Sequence, residues 1–180
     1  VQVRSNTQIT LTIYNVQIKN YLHWENGLNE LVKIETDSWL GYCKDDPVRP
    51  HLPLYWRIQD GREVYGLFEK QYAIEAPVDF EGPKAIICVA YTNGVAITEE
   101  DLNNTEEPDT AMFYTVWSYD KGAGREIVNT VAKHIKDTRE DITRYVTLSP
   151  LTDMAEKFHL RNGAIFARKG DNCQNFEYKL

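Results

Sequence analysis

The run KAIICVAY, residues 84–91, constrains the fold of this chain more than any other stretch. Gly82-Pro83 leads into it and Thr92-Asn93-Gly94 leads out. Its apolar part, AIICVA at 85–90, is far shorter than the roughly 20 residues that a helix needs to cross a membrane. Turn residues on both sides and the absence of alternation make it a central strand buried on both faces. Sheet and helix signals follow it in turn. AMFYTVWS (111–118) reads as a strand, and after KGAGRE a helix carries Ile127, Val128, Val131, Ala132 and Ile135 on one face. RYVTLS (144–149) is extended, a short helix is expected over about 151–160, and GAIFARK and QNFEYKL read as closing strands. Upstream, QITLTIYNVQI (8–18) reads as a strand. The spacing of Leu28, Leu31, Val32, Ile34, Trp39 and Leu40 predicts a helix over about 26–44. The prolines of KDDPVRPHLP enforce a loop, Asp60-Gly61 a turn, and LYWRI and YGLFEKQYAIEA strands or a helix followed by a strand. Thr98 with Asp101 forms a capping pattern for a short helix, and 99–109 reads as a solvated acidic loop.

With 180 residues, 42% of them apolar, and no linker, the expectation is one α/β (α+β) domain over 1–180. A net charge of -7 opposes general attraction to a nucleic-acid backbone and offers no polybasic membrane patch. The expected partners therefore include neither nucleic acid nor membrane, while a homo-oligomer stays open. No charged-then-apolar signal opens the chain, and Cys43, Cys88 and Cys173 are an odd number without metal spacing, so a cytoplasmic protein is expected. Cys88, inside its apolar run, has a packing role. His23, His51, His134 and His159 show no ligand spacing, and no metal is expected.

Two stretches carry candidate chemistry. In KGAGRE, Gly122 and Gly124 permit close backbone approach, and a helix starting there aims free N–H groups at an anion, with Lys121 and Arg125 adding positive charge. Taken alone it reads equally as an ordinary turn. In VTLSPLTDMAEKFHLRNGA, Ser149 ends a strand and His159 follows ten positions later. By local rules these are a turn residue and a cap. A straight helix between them separates its ends by roughly 10 Å, so the pair either meets through the fold or borders a substrate from two sides.

PKAIICVAYTNGVA, AMFYTVWS, KGAGREIVNTVAKHI, VTLSP, FHLRNGA and NFEY occur in the order of similar segments in the C-terminal domain of malonyl-CoA decarboxylase, and the chain resembles a compact member of that family over roughly 53–180. The resemblance implies a GNAT-like acyltransferase fold with a central mixed, mostly antiparallel sheet flanked by helices. It also implies decarboxylation of malonyl-CoA or a related carboxyacyl thioester. Carried over residue by residue, the catalytic set is Ser149, His159 and Tyr178, and the loop that binds CoA is Tyr119, Lys121, Gly122, Ala123, Gly124 and Arg125. No cofactor is required, the CoA thioester being the substrate. Against the family pattern, Tyr119 stands where many GNAT proteins carry Gln or Arg, and the glycine loop is one residue shorter. Only Leu151 to Phe158 separate the two signatures, and there is no room for the family's helical N-terminal domain. N-acyltransfer on the same fold, with Glu69 or Glu75 as base, and a non-catalytic CoA-binding module are the alternatives.

Overall fold

A computed structural model describes residues 21–22, 29–35, 37–69 and 82–180. Nine strands form one sheet: β1 (Tyr21–Leu22), β2 (Asn29–Lys33), β3 (Arg62–Glu69), β4 (Ala85–Thr92), β5 (Thr110–Ser118), β6 (Arg144–Thr147), β7 (Ser149–Pro150), β8 (Ile165–Lys169) and β9 (Cys173–Tyr178). β1 to β5 lie side by side in chain order and pair antiparallel. β6 pairs parallel to β5, as the intervening helix α2 (Ala123–Thr138) requires, and β9 inserts antiparallel between β6–β7 and β8. The mixed α/β expectation holds, and β4 is the central strand its sequence predicts, with every residue buried.

The sheet has a layer on each face. On one, Ile127, Val128, Val131, Ala132 and Ile135 of α2 pack on Tyr65, Ile87, Val89 and Phe113, the helical stripe read from the sequence. On the other, Leu40, Cys43, Leu52, Leu54 and Trp56 cover Val64, Ile86, Cys88 and Met112. This second layer corrects the helix expected over 26–44. Residues 29–33 pair in register with Glu69–Tyr65 of β3, and only α1 (Asp37–Leu40) and a 3-10 turn at Gly41–Asp45 are helical. Leu31 and Val32 fit either period, and pairing with β3 decides it. LYWRI is likewise a 3-10 turn over Tyr55–Ile58. The Asp60-Gly61 turn is present, both residues having positive φ. Thr98 and Asp101 exchange backbone-to-side-chain bonds of 2.8 and 3.3 Å, yet they cap only the 3-10 turn Glu100–Asn103, whose Leu102 is buried. The predicted strand 8–18 and Glu75 lie outside the described residues.

One irregularity sets up the site. Cys88 faces Thr115 and Val89 faces Phe113, so Tyr114 is an extra residue that bulges β5. The pairing of β5 with β6 ends at Phe113↔Thr147, with a last bond from Leu148 N to the Phe113 carbonyl at 3.0 Å. Beyond it β5 runs on to Ser118 while β7 turns away to pair with β9, and the sheet splits.

Candidate active site

A cavity of about 360 Å³ occupies the split. Phe113–Ser118 line one wall and Leu148, Ser149 and Pro150 the other. Gly124 at the start of α2 stands at one end, and Thr152, Met154, Ala155, Phe158 and His159 come from α3 (Asp153–Arg161) and its cap. No Asp, Glu, Lys or Arg is among its lining residues. The fold thus brings Ser149 and His159 to one cavity.

Local chemistry positions each. Thr152, extended at φ -123°, caps α3 by accepting the Ala155 amide at 3.2 Å, and Asp153 and Glu156 complement the helix dipole in the first turn. Gln174 donates to the carbonyls of Pro150 (2.9 Å) and Thr152 (3.3 Å), fixing the turn between Ser149 and the helix. From the same side of β9, two residues on, the Phe176 ring stacks on His159 with centroids 5.3 Å apart at 25°. Two residues further, the Tyr178 hydroxyl lies 2.9 Å from His159 Nδ1. The alternation of one strand therefore sets turn, ring and tautomer.

His159 is 5% exposed, and burial pushes its pKa from 6.5 down to about 4, so it is neutral near pH 7. Burial raises the Tyr178 phenol above its ordinary value, which keeps it protonated. Its hydroxyl has no other acceptor among the described residues, so it donates to Nδ1. Nε2 then carries the ring proton and, taking no protein partner among the described residues, is the donor left for a ligand.

The glycine loop joins the other end of the cavity. Gly122 has φ +90°, a left-handed conformation that favours glycine. Its carbonyl accepts the Arg125 and Glu126 amides, whereas the Gly124 amide donates to no protein acceptor among the described residues. Lys121 and Arg125 are exposed beside it and Ala123 is buried. Tyr119 is committed elsewhere: its hydroxyl donates to Asp45 at 2.7 Å and accepts Trp117 Nε1 at 3.1 Å, leaving its backbone to the loop. Glu69 forms an ion pair with Lys84 at 3.5 Å and is absent from the cavity lining.

Residues that sequence reasoning passed over hold this site. Arg49, in the proline-rich loop, spans the split: its guanidinium donates to the Tyr114 carbonyl on β5 and, at 3.0 Å, to the Leu148 carbonyl across from it, while Nε meets Glu99 at 2.9 Å. Asp46 anchors that loop by accepting the amides of Val48 and Arg49, the Thr115 hydroxyl and Arg57 Nη1 at 2.8 to 3.0 Å. Burial opposes its charge, but the Arg49 and Val48 amides, Arg57 and Thr115 hold the carboxyl below its ordinary range. Nothing local to KDDPVRPHLP signals this, since both strands it serves lie far along the chain.

No protein-family model matches the chain, and no curated protein does. Solved structures do. Malonyl-CoA decarboxylase from Agrobacterium vitis superposes with a TM-score of 0.58 at 18% identity, over 75% of this chain and 36% of that one. The chain thus spans about a third of the length of that enzyme. The GNAT domain of S. lividans PAT gives 0.56 at 13% identity over 86% and 92% of the two chains. A GNAT family acetyltransferase from Elizabethkingia anophelis with acetyl-CoA bound gives 0.51 at 8% identity over 84% and 96%. The fold is therefore GNAT-like, and its likeness extends to the malonyl-CoA decarboxylases.

Proposed function

We propose that the chain is a CoA-dependent enzyme that decarboxylates malonyl-CoA or a related carboxyacyl thioester. The observation that carries this reading is the shared cavity of Ser149 and His159, one a hydroxyl and the other a neutral N–H donor, with no charged side chain in its lining. In this reading the pantetheine arm lies in the split beside Val116–Ser118, and the phosphates meet the Gly124 amide, Lys121 and Arg125 at the start of α2. The acyl carboxylate enters a largely apolar enclosure that solvates charge poorly, which favours its departure as neutral carbon dioxide. The electron pair of the breaking C–C bond moves onto the thioester oxygen. His159 Nε2–H and the Ser149 hydroxyl stabilise that enolate oxygen, and a proton then adds to carbon. A preorganised donor of this kind is worth about 3 to 4 kcal/mol of barrier. Tyr178 acts through His159, holding the tautomer that donates.

Such a reaction needs no second substrate and no base. Transfer to an amine needs a base, and the cavity lining supplies neither a carboxylate nor an imidazole with a free lone pair turned inward. The test is incubation of purified protein with malonyl-CoA, following acetyl-CoA and carbon dioxide by mass spectrometry. Release of both supports the reading. Acetylation of amines from acetyl-CoA without malonyl turnover would replace it with N-acyltransfer, and CoA binding without either reaction with a binding module.

A further inference from the structure

Behind Ser149 stands a hydroxyl that does not line the cavity. Ser149 donates to Thr147 Oγ1 at 2.9 Å, and the same oxygen accepts the Phe176 amide at 3.1 Å. Thr147 is fully buried and Ser149 3% exposed. The Phe176 amide is free to turn to a side chain because β6 and β7 are interrupted at Leu148, which leaves a gap in their pairing with β9. Asn175 fixes the same spot by donating to the Thr147 carbonyl at 2.7 Å. With its proton turned inward, Ser149 shows the cavity only lone pairs, which suits a neutral acyl group and repels a carboxylate. The arrangement can reverse with every heavy atom in place. Thr147 keeps the Phe176 amide, turns its own proton to Ser149, and so releases the Ser149 proton into the cavity.

We propose that Thr147 is the positioning residue that makes this pocket selective for carboxylate-bearing acyl thioesters. An incoming anion selects the reversed chain, in which the Phe176 amide donates to Thr147, Thr147 to Ser149, and Ser149 to the carboxylate. Each link polarises the next, so a backbone amide supports the charge where the cavity lining offers no cation. A neutral acyl group gains little from the reversal. The inference rests on the reading of the cavity as an acyl-CoA site, and it names the substrate class of that site.

The test separates the two. S-carboxymethyl-CoA and S-ethyl-CoA are unreactive thioethers of similar size, one bearing a carboxylate and the other neutral. Calorimetry of the wild-type chain with each should show a preference for the carboxylate. Thr147→Val should lower that preference about tenfold, as expected for losing support to a charged hydrogen bond, while leaving S-ethyl-CoA affinity unchanged. Thr147→Ser should restore it. Should Thr147→Val fail to fold, Thr147→Cys fills similar space with a poor donor and should lose the preference too. Retained preference in both variants, or equal loss of both ligands, would overturn the role of Thr147. A wild type that binds S-ethyl-CoA without preferring the carboxylate refutes selectivity and leaves the acyl-CoA site standing. Binding of neither thioether removes that site and the proposal together.

Discussion

A neutral imidazole stacked on Phe176, edge-on to Phe158 and bonded only to a tyrosine hydroxyl resists protonation, and this ties His159 to the acid stability of the fold. Its folded pKa of about 4 lies below the ordinary 6.5, so between those values the unfolded chain binds more protons than the folded one. Stability is full above about pH 6.5 and falls as the pH drops toward 4, by about 3 kcal/mol in total. Asp46 and Glu63 have depressed carboxyl pKa values and act lower, below about 3.8 and 4.5. Urea titrations at pH 6.5 and 4.5 should show this loss in the wild type and a much smaller one in His159→Gln. On the proposed chemistry, Ser149→Ala and His159→Ala should fold and bind CoA yet lose at least about a hundredfold in turnover. Activity equal to wild type in either would remove that residue from the mechanism.

α2 shows what one element can place. Its N-terminus brings Gly122 and Gly124 to the end of the cavity, and the two glycines answer to different constraints. A Cβ on Gly122 would meet nothing within 4 Å, but its φ of +90° would cost about 1–2 kcal/mol. A Cβ on Gly124 would sit in ordinary contact with Ser118 and Phe158, at 3.4 and 3.5 Å, with no such strain. Gly122→Ala should therefore lower the melting temperature. Gly124→Ala should leave it unchanged or raise it by up to about 1 kcal/mol of helix propensity while weakening CoA binding, since its methyl narrows the approach to the free amide. Melting scans with and without CoA distinguish the two. At this scale much was legible in the sequence: the unbroken apolar run of β4, the stripe of α2 and the extended VTLS each declare their environment through local period. β2 was not legible, because Leu31 and Val32 suit two periods and only pairing with β3 decides. In the site, Ser149, His159 and Tyr178 were found through likeness to a family. Thr147 and Gln174 escaped because their partners, the Phe176 amide and the carbonyls of Pro150 and Thr152, exist only once the strands are interrupted and turned.

The split that makes the cavity also removes hydrogen bonds from the middle of the sheet, and the layer opposite α2 replaces them. Arg49 supplies donors to the two carbonyls that face each other across the split, those of Tyr114 and Leu148. Its own loop is held by the fully buried pair of Asp46 and Arg57, and Arg57 Nη2 donates to the Arg49 carbonyl at 2.6 Å. A segment remote from the catalytic residues in sequence thereby sets the width of the cleft. Removing the guanidinium leaves two buried acceptors unpaired, at about 1–3 kcal/mol each. Arg49→Met keeps the aliphatic stem, so its loss of stability should be about 2 kcal/mol or more and should come from those acceptors, not from packing. The exposed Glu99 pair adds little, which Glu99→Gln should demonstrate by staying within about 1 kcal/mol of wild type. Denaturant titration of the two variants separates these contributions. An Arg49→Met chain as stable as Glu99→Gln would mean that the carbonyls of the split find other donors, and that the loop only covers the sheet where it is argued here to hold it open at a fixed width.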